Sequence, residues 1–200
     1  MSCELIRGDK LTIYEANNNT GNLIVYFGWT EVVPKKSFLS MFKNTPTIPV
    51  DCDISALLLP DNNKMIEQGD LVFHNNKVHR KSNAVSIIGA PDDNFYIAEQ
   101  IMVNLDSIPN EYDKIVFIGT IYDADKRKHD FSKLENMYIA IYNTTFNTEV
   151  CHFNLVQNYN ELTSMFFGEI VRNEFGWEFN ALGNGSHDVG IMQAIKRYQA

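Results

Sequence analysis

The sequence predicts an all-β protein, a sandwich or a barrel, with a short C-terminal helix. Short runs rich in Val, Ile, Phe and Tyr recur along the chain, and several alternate polar with apolar residues. Clusters of Asn, Asp, Gly and Pro separate most of these runs, as is typical of turns between strands. Helical periodicity is weak before the C-terminal segment, so alternating strand and helix units are not indicated.

The β-like runs follow one another along most of the chain. They are LTIYE (11–15), LIVYFGW (23–29), ISALLLP (54–60), DLVFH (70–74), AVSIIG (84–89), FYIAEQIMVNL (95–105), KIVFIGTIYD (114–123), MYIAIYN (137–143), EVCHFNL (149–155), MFFGEIVRN (165–173) and GWEFNALG (176–183). Residues 31–50 have no clear period and hold three of the six prolines, which predicts a long loop. The segment FSKLENM (131–137) predicts a turn or two of helix.

The C-terminal segment DVGIMQAIKRYQ (188–199) is the strongest helix candidate. Asp188 can cap its N-terminus, and Ile191 and Ile195 share one face. Two basic residues near its C-terminal end suit the helix dipole.

The composition indicates one globular domain spanning residues 1–200. Hydrophobic residues make up 44% of the chain and charged residues 21%, which is typical of a folded protein with a sizeable core. The net charge of -8 is a poor match for a nucleic acid and suits divalent cations or basic partners. No apolar run is long enough to span a bilayer, so we do not expect an integral membrane protein.

The cysteines and the N-terminus indicate a cytoplasmic protein. Cys3, Cys52 and Cys151 are odd in number, far apart and outside any CxxC pattern. Neither a disulfide framework nor a zinc site is predicted, and a reducing compartment is favoured. The N-terminal residues show no apolar segment of the signal-peptide kind.

The stretch PVDCDISALLL (49–59) contains the best candidate for a cation site. Asp51 and Asp53 lie two residues apart, so in a strand they share one face and repel each other. The run that follows is apolar on both faces, which predicts a strand buried on both sides with the two carboxylates at its rim. Ca²⁺ is a suitable counterion because it takes six to eight oxygen ligands in irregular geometry. We expect crowding to raise the pKa of at least one carboxyl group.

Two carboxylates are too few for Ca²⁺, so other loops must contribute. Asp92 and Asp93 lie in the turn GAPDDNF, and Asn75 and Asn76 follow the strand candidate DLVFH. An alternative interpretation is ordinary turn chemistry, in which Asp and Asn side chains bond their own backbone. The acidic loop IYDADKRKHD (121–130) also carries basic residues and is interpreted as a self-neutralised surface loop. No EF-hand pattern is present.

Motifs for catalysis are missing from the sequence. The serines lack a G-x-S-x-G context, and no Walker loop ends in GK[ST]. His74 and His79 are five residues apart, which puts them on opposite faces of a strand and favours surface positions over metal ligation. The residues therefore specify no catalytic mechanism, and we expect a protein that is not an enzyme.

Several motifs resemble the TerD-type tellurite-resistance and general stress protein family. They include FGW after a strand, D-x-D-x-SALLL, DLVFHNN, a PDD turn, YDKIVFIGTIYDAD, FGEIVRNEFGWEFNALGNG and a terminal helix, in the family's order. The resemblance runs from about Leu5 to Tyr198. It implies a β-sandwich of two mostly antiparallel sheets that binds Ca²⁺ through acidic loops at one end.

The resemblance also implies a role and a setting. The family is linked to tellurite and chemical stress resistance, and to assemblies of related proteins at the membrane surface. A cytoplasmic, non-enzymatic stress-response module acting with other proteins is therefore expected. Some members are described as cyclic-AMP-binding, which makes a small-molecule or cyclic-nucleotide binder an alternative. The arginines that such a site needs are scattered along this chain.

Matching the family's motifs position by position gives an expected ligand set and three departures. The expected Ca²⁺ ligands are Asp51, Asp53, Asn75, Asn76, Asp92 and Asp93. Thr30, Pro49 and Asn94 stand where the family commonly has acidic residues. Fewer anionic ligands weaken Ca²⁺ binding, so the site is expected in reduced form. A protein-interaction module that has lost its metal is the main alternative.

Overall fold

A computed structural model describes residues 2–15, 21–32, 48–89, 99–157 and 159–199 of the 200-residue chain. The strands are β1 (Cys3–Leu5), β2 (Lys10–Glu15), β3 (Asn22–Glu31), β4 (Cys52–Leu59), β5 (Leu71–Val72), β6 (Val85–Ile87), β7 (Glu99–Asn104), β8 (Lys114–Ile121), β9 (Leu134–Asn143), β10 (Thr148–Asn154), β11 (Ser164–Asn173) and β12 (Gly176–Ser186). Two short α-helical turns are α1 (Ala124–Arg127) and α2 (Ile191–Ala194). Single 3₁₀ turns cover Gln68–Asp70, Leu105–Ser107, Phe131–Lys133 and Ile195–Tyr198.

The strands form two six-stranded sheets. The first sheet has the order β1-β10-β9-β3-β7-β6, and the second has the order β2-β12-β11-β8-β4-β5. Paired strands run antiparallel, except for β1 and β10, which run parallel. The predicted β-sandwich of two mostly antiparallel sheets is therefore confirmed. Only β1, a short strand at a sheet edge, is absent from the predicted runs.

The main core lies between the sheets and follows from the alternation within strands. In β3, Leu23, Val25 and Phe27 are wholly buried, whereas Ile24 and Tyr26 are only half-buried on the outer face. The Phe27 ring contacts the rings of two residues of the opposite sheet, Phe117 and Phe167, at centroid distances of 5.8 and 5.4 Å. Such aromatic pairs stabilise a core beyond the area they bury.

Strand β4 is buried on both faces, as its sequence predicts. Ile54, Ala56 and Leu58 belong to the core between the sheets. Leu57 and Leu59 point outward into a second cluster, where Ile191, Ala194 and Ile195 of the C-terminal segment cover them. Burial on both sides fixes the register of β4, because a one-residue slip would exchange its two faces. The position of its first residues is thereby fixed as well.

The C-terminal helix is shorter than its sequence predicts, and its predicted cap is wrong. It begins at Ile191 after Gly190, without a side-chain cap, and continues as a 3₁₀ turn to Tyr198. The Asp188 carboxylate instead accepts a hydrogen bond from Ser186 Oγ at 2.6 Å and pairs with Arg197. Within the described ranges, no helix is long and apolar enough to cross a membrane.

The segment FSKLENM is only partly helical. Its first three residues form the 3₁₀ turn Phe131–Lys133, with the Asp130 side chain accepting from Ser132 N at 2.8 Å. The remainder enters strand β9, where Leu134 and Met137 are buried. Packing of these two side chains overrides the weak helical preference of the segment.

Candidate functional site

Asp51 directly precedes β4 and Asp53 is its second residue, at one end of the sandwich. The side chain of Asp51 is 55% exposed and that of Asp53 is 30% exposed. The Asp51 carbonyl accepts a hydrogen bond from Tyr122 N at 2.8 Å, and Val50 N donates to Glu31 Oε1 at 3.1 Å. These bonds tie the entry of β4 to the end of β8 and to the end of β3. Both carboxylates are therefore held in place at a rim that faces solvent.

Glu99 is a third carboxylate at this end, and the sequence analysis missed it. It opens β7 opposite Phe27, and its Oε2 atom is buried and has no hydrogen-bond partner among the described residues. Burial raises the pKa of Glu99, the charges of Asp53 and Asp51 raise it further, and Lys77 opposes them. The alternation in EQIMV contains the signal that could have found it, because Glu99 shares the inward face of Ile101 and Val103.

The three residues Asp51, Asp53 and Glu99 are hereafter called the acidic end. Burial is the main cause that raises the pKa of Asp53, while His74 lowers it and Asp51 raises it. The pKa of Asp53 is therefore raised, but the main cause is burial and not the expected crowding, since Asp51 raises this pKa by less than His74 lowers it. The pKa of the buried Cys52 thiol is also raised, first by burial and then by the negative charges of the same three carboxylates. The acidic end is thus an electrostatic cluster with two carboxylates whose charged form is disfavoured.

Within the described residues, each carboxylate of the acidic end has a basic neighbour. Arg127 Nη1 lies 3.7 Å from Asp51 Oδ2, and His74 Nδ1 lies 4.0 Å from Asp53 Oδ2. Both separations exceed the usual length of a hydrogen bond. The repulsion between the aspartates is therefore offset by a loose ion pair between Arg127 and Asp51, and by His74 when that side chain is protonated. The carboxylate oxygens keep lone pairs for further ligands.

A cavity of about 270 Å³ opens beside Asp53. Its polar side is formed by Asp53, His74 and Asp123, and Val189 and Met192 contribute to its apolar side. A ligand in this cavity can therefore contact a carboxylate together with apolar side chains.

Asn75 and Asn76 lie in the tight turn that follows β5. The backbones of Phe73 and Asn76 exchange two hydrogen bonds of 3.0 and 2.9 Å. Asn76 Nδ2 donates to Leu71 O at 2.7 Å, and its Oδ1 accepts from Arg80 Nε at 3.2 Å. Both asparagines line a second cavity of about 290 Å³, whose lining does not include Asp53. The structure therefore gives Asn76 a turn role, and the role of the pair as ligands stays a prediction.

Asp92, Asp93 and Asn94 lie outside the described residues, so their part in the site also stays a prediction. Among the residues that are described, no group of three or more His, Cys, Asp or Glu side chains has metal-binding geometry. Thr30 Oγ1 donates to Glu135 O at 3.3 Å and accepts from Asn136 Nδ2 at 2.9 Å. Where the family commonly has an acid, this chain thus has a side chain bonded to strand β9.

His79 is wholly buried, so its predicted surface position is wrong. Its Nδ1 lies 2.7 Å from Ser82 Oγ, and its Nε2 lies 3.7 Å from Asp70 Oδ1. Tyr112 donates to the same Asp70 oxygen at 2.5 Å. Folding brings these residues together from distant parts of the chain, which the spacing of the two histidines alone does not show. Among the described residues, Cys52 and Cys151 are buried and form no disulfide.

Comparison with known proteins agrees with this architecture. The family model of the TerD domain matches residues 1–198. The stress response protein SCP2 of Bacillus subtilis (strain 168) is 31% identical over 99% of this chain and 100% of its own length. The tellurium resistance protein TerD of Serratia marcescens is 31% identical over 92% of this chain and 91% of its own.

A solved structure shares the fold. It is that of a homologue of the telluride resistance protein TerD from Streptomyces coelicolor A3(2), with a TM-score of 0.65 at 14% identity. The match covers 90% of this chain and 99% of the other. The whole-chain match to the family model and the two curated relatives lead to one conclusion: this chain belongs to the TerD domain family.

Proposed function

We propose that this protein is a Ca²⁺-binding, non-enzymatic stress-response module whose ion binds at the acidic end. The observation that supports this best is the gathering of Asp51, Asp53 and Glu99, two of them with raised pKa values. Carboxylate oxygens are hard ligands that Ca²⁺ prefers. A divalent cation would lower the energy of these charged groups and would give the buried Glu99 Oε2 a partner, which it does not find within the described part of the chain.

The residues present fit such an ion in their chemistry but not in their arrangement, because no group of three or more acidic side chains among the described residues has metal-binding geometry. Asp51, Asp53 and Glu99 would supply anionic oxygens, and Asp92 and Asp93 would add to them from their own loop. When bound, the ion would supply charge neutralisation and a cross-link between β4 and β7. Because Thr30 and Pro49 replace two acids that are common in the family, we expect weaker binding than a fully acidic site gives.

The names of the relatives give the proposal its biological setting. One relative is named a stress response protein and another a tellurium resistance protein. We therefore propose a cytoplasmic role in resistance to tellurite or other chemical stress. The net charge of -8 favours basic protein partners over nucleic acid, in line with action within a protein assembly.

A metal-free interaction module is the second candidate. It is favoured by the Arg127–Asp51 ion pair and by the charge of Lys77, which opposes the raised pKa of Glu99, because such basic neighbours reduce the need for a bound cation. A small-molecule or cyclic-nucleotide binder has less support. The described cavity beside Asp53 is lined by carboxylates, which repel a phosphate group.

The deciding experiment compares wild type with two double variants. Calorimetry measures Ca²⁺ binding, and thermal unfolding is followed in chelator and in Ca²⁺. Asp51→Asn with Asp53→Asn removes two charges at the acidic end. Asp61→Asn with Glu174→Gln removes two exposed charges near the opposite end of β4 and in the β11–β12 turn. A site-bound ion stabilises the fold by about 2.7 kcal/mol at a hundredfold excess over its dissociation constant.

We expect the gain in melting temperature with Ca²⁺ in wild type and in the control, and its loss in the first double variant. Equal gains in all three proteins would place the metal elsewhere. No heat and no melting shift at millimolar Ca²⁺ in wild type would favour the metal-free interaction module.

A further inference from the structure

We propose that Cys3 and Cys151 are a modification site, at which a mild oxidant such as hydrogen peroxide forms a disulfide that fastens strand β1 to strand β10. Their separation in the sequence predicts no disulfide, but the fold makes them neighbours. In the reducing compartment proposed for this protein, both residues would stay thiols until an oxidant arrives. The disulfide needs no bound cation, so it is independent of the proposed Ca²⁺ site.

The two cysteines are register partners in the parallel pair of β1 and β10. Cys3 lies opposite Cys151, and two residues further along Leu5 lies opposite Phe153. Residues two apart in a strand share a face, so both thiols lie on the face from which Leu5 and Phe153 enter the core. Neighbouring strands are about 4.8 Å apart, within the Cα separation of about 4.4–6.8 Å that a disulfide needs. Bond formation therefore requires side-chain rotation and little movement of the backbone.

The two thiols differ in their access to solvent. Cys3 is exposed, whereas Cys151 is 1% exposed and belongs to the core between the sheets. Burial raises the pKa of Cys151 to about 12, although an interaction with the Ile141 backbone lowers it and the charge of Cys3 raises it again. Cys151 therefore stays a protonated thiol, and a dissolved oxidant reaches Cys3 first.

The oxidation balances as two successive steps. The Cys3 sulfur attacks one oxygen of hydrogen peroxide and the O–O bond breaks, which leaves a sulfenic acid on Cys3 and, with the thiol proton, one water. The Cys151 sulfur then displaces the hydroxyl group from Cys3, forms the S–S bond and gives up its proton to a second water. Two thiols are thus oxidised by two electrons, and one peroxide is reduced to two waters. A dissolved dithiol reverses the bond by thiol–disulfide exchange.

A covalent bond at this position would change how firmly β1 is held. Strand β1 has three residues and lies at the edge of its sheet, next to β10. The hydrogen bond beside it is exposed, with Ser2 Oγ donating to Glu149 Oε1 at 2.5 Å. Short segments near a terminus open readily when exposed contacts hold them. A bond from Cys3 to the core residue Cys151 would therefore suppress this opening.

The test treats the folded full-length protein, in chelator, with a slight excess of hydrogen peroxide. Remaining thiols are then blocked, and the peptides are mapped by mass spectrometry without reduction. We expect wild type to lose two thiols and to give a cross-linked peptide pair that contains Cys3 and Cys151. Cys52→Ala is the matched control and should give the same cross-link, because Cys52 is also buried but lies opposite Ile121.

Two further variants separate the roles of the partners. Cys151→Ala should stop at a sulfenic acid on Cys3, which a cyclic dione reagent traps. Cys3→Ala changes an exposed side chain, so it should fold, and it should leave Cys151 unoxidised. Cross-links between the Cys3 residues of two chains, or oxidised Cys3 with a free Cys151 thiol in wild type, would overturn the proposal.

Thermal unfolding and amide hydrogen exchange give a second readout. Cross-linked wild type should melt roughly 5–15 °C above the reduced protein, because the bond closes a loop over most of the chain and constrains the unfolded state. Exchange of the β1 amides should slow in the same sample, and a dithiol should reverse both effects. If cross-linked and reduced protein show the same melting temperature and the same exchange, the bond does not fasten β1 and the proposal fails.

Discussion

Two groups of carboxylates in this molecule differ in what surrounds their oxygens. Asp70 is wholly buried, and its oxygens accept hydrogen bonds from Tyr112 Oη at 2.5 Å, Ile66 N at 2.8 Å and Glu67 N at 2.9 Å. At the acidic end, no described residue donates a hydrogen bond to Glu99 Oε2, and the neighbour of Asp53 is a histidine at 4.0 Å.

The pKa values of the two groups move in opposite directions for this reason. Burial raises the pKa of Asp70, but the His79 and Tyr112 side chains and two backbone amides lower it, and the net pKa is below the usual value. Burial raises the pKa of Asp53 and of Glu99, and too few donors oppose it. Hydrogen-bond donors, more than depth, thus separate a structural carboxylate from one available to a ligand.

The largest expected effect comes from removing Asp70, the structural carboxylate. Asp70→Ala should destabilise the fold by about 3–5 kcal/mol, because a buried, hydrogen-bonded charge is removed and its donors lose their acceptor. Urea unfolding of the variant checks this. The exposed Asp61→Ala serves as control and should change stability by about 0.5 kcal/mol or less. Similar small losses in both variants would show that the Asp70 bonds contribute little, and the contrast between the two sites would fail.

The effect of pH on stability sharpens the comparison, because the two sites have opposite signs. A raised carboxyl pKa makes the folded state bind protons more tightly than the unfolded chain. Protonation of Asp53 and Glu99 should therefore add up to about 1 kcal/mol as the pH falls from neutrality toward about 4 in chelator. The lowered pKa of Asp70 stabilises the fold above the unfolded value and loses this contribution as the pH falls below about 4.

In chelator, the melting temperature plotted against pH should therefore show a shallow maximum between the pH ranges of the two effects. With saturating Ca²⁺ the slope above pH 4 should reverse, since protons compete with the ion for the same carboxylates. A monotonic loss of stability from neutrality in chelator would contradict the raised pKa values at the acidic end.

The sequence predicts the elements of this fold better than it predicts its polar contacts. Alternation along β3 and the two-sided apolar run of β4 are local patterns, and the structure confirms both. The pairs Asp70 with Tyr112 and Asp51 with Arg127 join residues far apart in the chain. No spacing rule reaches across such separations, because the sheet order that brings them together is a property of the whole fold.

Two errors in the prediction have local physical causes. His79 appears exposed from its spacing to His74, but packing against Asp70 and Tyr112 buries it. Glu99 is not among the predicted site residues because it lies within an apolar run. It shares the inward face of Ile101, however, where a carboxylate is unusual. A lone carboxylate on the core face of a strand is rare, and its position in the alternation of the strand is therefore a signal to look for.

The smallest expected effect concerns Glu99. Replacing one of its carboxylate oxygens by an amide nitrogen tests how the acidic end differs from Asp70. Glu99→Gln keeps the size of the side chain and removes the charge whose burial and repulsion raise its pKa. In chelator the variant should be more stable than wild type by about 0.5 kcal/mol, since exposed or half-buried charge effects are of that order. On adding Ca²⁺ it should gain less than wild type, because one anionic ligand is lost. The exposed Glu135→Gln is the matched control and should follow wild type in both conditions. A loss of stability in chelator would mean that Lys77 stabilises Glu99 more than Asp51 and Asp53 destabilise it, and an unchanged Ca²⁺ gain would remove Glu99 from the metal site.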